Sequence, residues 1–221
     1  MSGWMYLLYV VVFILLVVLV PPLIKRYYYQ RLMQDLEAHN FTLFTRHLDS
    51  FLAKVTFSAF ERESMRLSMY EMRNEMKKAD EQVQFMENMR LNKKQKAQLG
   101  ERGFYVYLES GKIKKARHMM EMVEQYGSEI QAKNLQIQYS ILLKKESKYI
   151  KELQERHARL KDAKGEIPAN VQNQAGTFEY LIGLQYSYLK DKDNTRKWLE
   201  PALEHLKNTP YEGEIVELLK A

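Results

Sequence analysis

The side chains best equipped for chemistry are five histidines, His39, His47, His118, His157 and His205, set among 28 aspartates and glutamates. Histidine titrates near neutrality and binds metals readily, so its spacing is the first thing to test. None of the five forms a metal-type pair such as H-E-x-x-H. His39 and His47 share roughly one side of a continuous helix, but no carboxylate or third ligand follows at a suitable spacing. The absence of cysteine excludes disulfides, cysteine-based zinc sites and thiol catalysis. There is no G-x-S-x-G elbow, no phosphate-cradling glycine loop and no dinucleotide fingerprint. Gly100 and Gly103 flank a helix start and read as turn residues. Nothing singles out a catalytic carboxylate pair. The chain is therefore expected to be no enzyme, with no metal, no cofactor and no small-molecule substrate.

What the sequence does carry is a packing pattern. Gly183 is followed by Tyr186, then by Thr195, Leu199 and Ala202 at helical spacing. Small residues let two backbones approach, and the aromatic and leucine fill the space beside them. The polar run Lys190-Asp191-Lys192-Asp193-Asn194 reads as the turn between two antiparallel helices. Phe104, Tyr107, Ala116, Met120 and Val123 repeat the spacing, with Gly111 in the turn, and Leu67, Tyr70, Ala79, Val83 and Met86 repeat it more loosely. A further copy begins at Ser140 and Leu143 but needs one inserted residue before Leu153, His157 and Leu160 fall into line. The four starts are separated by 37, 36 and 43 residues, the last interval holding a loop, Lys161 to Asn170, with Gly165 and Pro168.

This pattern resembles the tetratricopeptide repeat, a helical hairpin of about 34 residues. The resemblance covers residues 57–221 and implies a right-handed α-solenoid of antiparallel hairpins. Glu212 to Lys220, after Pro210, reads as the helix that caps its end. The intervals are longer than the family's usual repeat, and an unrelated helical bundle would use the same alternation of small and large residues.

The first residues differ in character. Trp4 to Ile24 carries no charged side chain, and a helix of that length spans about 31 Å, close to a bilayer core. Lys25, Arg26 and Arg31 follow it directly, with Tyr27, Tyr28 and Tyr29 among them. The expectation is an all-α chain with an N-terminal transmembrane helix in residues 1–26, a linking or capping helical segment in 27–56 and the repeat domain in 57–221. Lys25, Arg26 and Arg31 would sit at the membrane interface, in contact with lipid, and would place the C-terminal domain in the cytoplasm. Along the linking segment Leu36, Phe41, Phe44, Leu48, Phe51 and Leu52 recur every few residues as a candidate core face, with Asn40 capping a break.

The formal charge of +6 is too mild and too evenly offset by acids to suggest a nucleic-acid domain. Basic clusters at Lys93, Lys94, Lys96 and Arg102, at Lys112 to Arg117, and at Lys144 to Lys151 read as solvated helix faces or as surfaces for anionic lipid or an acidic partner. The resemblance to tetratricopeptide repeats implies a concave groove, lined by the first helix of each hairpin, that takes a protein or peptide partner. In the well-matched copies that face would carry Tyr105, Leu108 and Glu109, then Leu184, Ser187 and Tyr188. In the slipped copy it would carry Ile141, Lys144 and Lys145, with Ile137 and Tyr180 one turn earlier. The competing reading is that Tyr105, Ile141 and Leu184 pack between repeats. The expected function is a single-pass, membrane-anchored adaptor. The alternative is a permanent structural or assembly subunit of a membrane complex.

Overall fold

The computed structural model describes residues 3–220. Every regular element among them is helical, as the scarcity of glycine and proline leads one to expect. The chain forms two compact units that divide between Leu99 and Gly100, so residues 57–99 group with the helices before them.

The first unit holds α1 (Gly3–Glu37), α2 (Phe41–Leu48), α3 (Phe51–Thr56), α4 (Ala59–Met72), α5 (Met76–Glu87) and the start of α6 (Lys93–Glu109). Its core gathers Tyr28, Leu32 and Leu36 of α1 with Phe44 and Leu48 of α2, Ala53, Phe57, Met65 and Met69. Asn40 caps α2, its side chain accepting from the Leu43 amide at 3.2 Å, so the break comes where the sequence places it. Phe51 and Leu52 do not join this core. They are 77% and 58% exposed, because α3 turns Ala53 inward and the other side of its short cylinder outward.

A second correction concerns the N-terminal segment. Among the described residues no helix is long and apolar enough to cross a membrane, which overturns the expected transmembrane helix. The side chains of residues 5–9, 11, 12 and 14–16, on which that expectation drew, lie outside the described residues.

The second unit continues with α7 (Ile113–Tyr126), α8 (Glu129–Gln138), α9 (Ile150–Ala158), α10 (Gln172–Tyr188), α11 (Lys192–His205) and α12 (Glu212–Lys220). In this unit the pairs α6–α7, α8–α9 and α10–α11 follow one another with solenoid-like character, and with α4–α5 of the first unit they coincide with the four sequence copies. Their turns show why. After α4, α6 and α10 the chain passes through a left-handed residue, Asn74 (φ 54°), Gly111 (φ 65°) and Lys190 (φ 59°), each at the same offset from the small position. The next amide then donates back to the carbonyl of the pattern aromatic: Glu75 to Tyr70, Lys112 to Tyr107 and Asp191 to Tyr186, at 2.8–3.1 Å. This closes the helix end in a Schellman-type turn.

Helix starts are equally local. Ser58 with Glu61 and Ser128 with Gln131 form reciprocal capping boxes, and Asn92 with Gln95 exchanges the same pair of bonds. The slipped copy departs from the others at its turn. Its first helix ends in a π-helical turn, Tyr139–Leu143, and its left-handed residue is Lys145 (φ 55°), so the extra residue falls in the longer connection to α9. Close crossings fall where small residues stand. A Cβ on Gly183 would lie 2.5 Å from Leu199 Cδ2, and one on Gly100 would lie 2.9 Å from the Met119 carbonyl oxygen. Gly100 thus belongs to the body of α6 against α7, not to a turn.

Candidate functional site

Two constellations in the second unit are chemically distinctive, and both are built on α9 and α10. The first is buried. Glu179 of α10 is 2% exposed, and its two carboxylate oxygens accept from different imidazoles: His157 Nε2 of α9 at 2.8 Å and His205 Nδ1 of α11 at 2.7 Å. Burial pushes the Glu179 carboxyl up, but the hydrogen bonds from His157 and His205 outweigh it and hold the group below its ordinary value. The His157 ring also stands edge-on to Trp198, with centroids 5.4 Å apart. One carboxylate therefore ties three helices together.

The arrangement saturates itself. Each oxygen has its donor, and among the described residues no group of three or more histidines and acids is set to hold a metal ion. With both carboxylate oxygens engaged, the triad reads as structure. Sequence spacing hid it because the three members come from three helices. The signal that was there is His157, a polar residue standing where the repeat pattern asks for an apolar one.

The second constellation is open. A groove of about 500 Å³ is lined by Glu101 and Tyr105 of α6, by Ile130, Gln131, Asn134, Leu135, Ile137 and Gln138 of α8, and by Gln174, Thr177, Phe178 and Leu181 of α10. Leu153, Arg156, Arg159 and Leu160, from α9 and the residues just after it, complete it. Most of the wall comes from the first helices of three successive hairpins. Its polar groups are mutually oriented: Gln131 donates to Glu101 at 3.2 Å and Gln138 to the Tyr105 hydroxyl at 3.1 Å. Arg156 donates to Asn134 at 2.7 Å and to Glu152 at 2.6 Å, so its guanidinium is held in one pose. Arg159 is exposed and has no ion-pair partner among the described residues. Ile130 is 74% exposed at the edge. A second concavity of about 750 Å³, on the far side of α8, shares Ile130, Arg156 and Arg159 with the first.

The ten partner-binding residues expected from the sequence are placed in different surroundings. Tyr105 and Ile137 line the groove. Ile137, Ile141, Tyr180 and Leu184 are nearly fully buried in the shared core of α8–α12, so in this chain they pack between hairpins. Tyr188, half-buried, donates its hydroxyl to the Ile141 carbonyl at 3.0 Å, and burial beside Glu214 pushes its phenol up to about 12. Leu108 is half-buried and Glu109 exposed on α6, while Lys144 and Lys145 are exposed at the turn after α8, all four outside the groove. Lys144 and Lys148 bracket Glu146, whose carboxyl is lowered to about 2 by hydrogen bonds from Lys148 and Ser140. Of the expected membrane-interface residues, Arg26 and Arg31 are exposed, and Lys25 pairs with Glu61 at 2.6 Å. Among the groove residues that spacing missed are Arg156, Arg159 and Phe178. The first two lie on or just beyond a second helix, and Phe178 lies five residues upstream of the small residue that anchors the pattern.

No family model, curated protein or solved structure matches this chain.

Proposed function

We propose that this chain is a tetratricopeptide-like adaptor whose groove between α6, α8 and α10 captures a segment of a partner protein. The observation that carries the reading is the groove's composition. An apolar floor of Leu135, Leu153 and Leu181 is bordered by side-chain amides and two arginines, and its walls belong to three consecutive hairpins. Such a surface offers apolar anchor points with polar groups that fix orientation, which is what a short peptide or helix needs from its receptor.

The test is capture of partners by the intact chain, with Phe178→Ala and Ile130→Asp as groove variants. Loss of captured proteins in both variants, with unchanged unfolding midpoints, supports the adaptor. Retention of every captured protein in both sinks the groove as the binding site. If instead the partners are stoichiometric and resist high salt, the chain is a permanent subunit of an assembly.

A further inference from the structure

We propose that the outward face of α3, together with the adjoining part of α1, is a docking surface for an anionic lipid bilayer, seated in the headgroup layer without crossing it. Phe51, Leu52 and Val55 are 77%, 58% and 69% exposed. On a helix these positions fall on one side, opposite the buried Ala53. A six-residue helix that turns its three large apolar side chains to solvent is built the wrong way round for a free surface in water.

The position of α3 is fixed. The Tyr28 hydroxyl sits 2.7 Å from Ser50 Oγ and donates to the His47 carbonyl, and Tyr28 and Phe57 bracket α3 with ring centroids 6.2 Å apart. Lys25 Nζ lies 5.7 Å over the Phe57 ring. Ile24 and Lys25 stand one turn before Tyr28 on the same side of α1, so exposed Ile24 lies on the side of α1 whose Tyr28 bonds to the residues just before α3. Apolar, aromatic and basic side chains are therefore gathered at one place, the composition that suits a lipid interface.

Charge selects the sign of the lipid. The acids of this neighbourhood are already engaged: Glu61 with Lys25, Asp49 with Arg66 and Asp35 with His47. Arg26, Arg31, Arg46 and Lys54 are exposed, and none has an ion-pair partner among the described residues. Unpaired cations on α1, α2 and α3, with Lys54 on α3 itself, complement anionic headgroups, each basic side chain near the surface adding to the attraction. A protein partner would more often meet mixed charges here, as the α9 surface shows with Arg156, Glu152 and Lys133.

The absence of cysteine makes a clean experiment possible. The full-length chain, carrying a single Leu52→Cys or Val55→Cys change labelled with an environment-sensitive fluorophore, is reconstituted with phosphatidylcholine–phosphatidylglycerol vesicles containing a nitroxide lipid. Lys77→Cys, exposed on α5, is the reference position. The expected result is a blue shift and strong quenching at 52 and 55 and neither at 77. With Arg26→Glu and Lys54→Glu together, or without phosphatidylglycerol, quenching falls several-fold. Probes at 52 and 55 that stay water-like while the chain sediments with vesicles overturn the proposal. So does a concentration-dependent blue shift that ignores the nitroxide, because a second copy then covers the face.

Discussion

The hairpins α8–α9 and α10–α11 are neighbours in one unit yet solve the same packing problem differently. In α10–α11 the pattern is unbroken. Gly183 admits Leu199, Gly176 admits Leu206 with a Cβ-to-Cγ approach of 2.8 Å, and the turn closes on Tyr186. In α8–α9 the first helix ends in a π turn, and the left-handed turn residue arrives early, at Lys145. There the slack is taken up by polar bonds: Ser140 to Glu146, the Tyr149 amide to the Gln185 side-chain oxygen, and His157 to Glu179. Close backbone approach leaves no room for ligand. A hairpin held by side-chain networks leaves the groove beside it.

The largest effect is expected where the two hairpins are joined. Glu179→Ala strands the buried His157 imidazole and the half-buried His205 one and opens a cavity, and should cost about 3–5 kcal/mol of unfolding free energy, read by denaturant titration. A loss below about 1 kcal/mol would mean that the triad is ornamental to the joint. The sign of its pH dependence follows from the lowered Glu179 carboxyl. The stabilisation is fully present above the ordinary carboxylate value of 4.5 and fades as pH falls through the lowered one. The gap in melting temperature between wild type and variant should therefore be widest near neutrality and narrow in acid.

Next comes the unbroken hairpin. Gly183→Ala puts a Cβ against a leucine branch, and Ala116→Leu does the same to the buried face of α7. Each should cost about 1–3 kcal/mol by overpacking. Lys114→Leu, exposed on α7, should stay within about 0.5 kcal/mol. Three equal, small effects would mean that the repeat register does not describe these contacts.

Some of this was legible in the sequence and some was not, for reasons of range. Pairs such as Gly183–Leu199 and Leu67–Ala79 belong to one hairpin, so their spacing is fixed by helix and turn lengths, and the residue types announce them. Caps such as Ser58–Glu61 are more local still. The groove is assembled from four helices, and no spacing rule relates Glu101 to Phe178 or Arg156 to Gln138. The rule that chose Ile141, Leu184 and Tyr180 found the side of each first helix that meets the next hairpin, and the next hairpin covers it. Phe51 and Leu52 misled differently. Their periodicity was real, but periodicity does not say which of two apolar faces turns inward.

A smaller effect is expected at the seam. Tyr188→Phe removes only the hydroxyl that reaches the Ile141 carbonyl across the π turn, and should cost about 1 kcal/mol while leaving partner capture intact. Should capture fail instead, the seam between the hairpins would itself be part of the receptor.

The least effect on stability, and the sharpest separation of the two hairpins' roles, is expected from Arg159→Glu. Arg159 is exposed just after α9, on the wall shared by both concavities, and holds no ion pair among the described residues. Its removal strands nothing, so the unfolding free energy should move by no more than about 0.5 kcal/mol. Arg156 differs because it is anchored to Asn134 and Glu152, so its loss would disturb α8 and α9 as well as any ligand. Arg159 can thus report on charge in the groove without reporting on the fold. If partners approach with an acidic group, Arg159→Glu should slow association and weaken capture most at low ionic strength, with the difference shrinking as salt screens it. If capture falls equally at all salt concentrations, the guanidinium acts through shape. If capture does not change, recognition rests on the apolar floor around Phe178, and the α8–α9 slack serves only to make room for it.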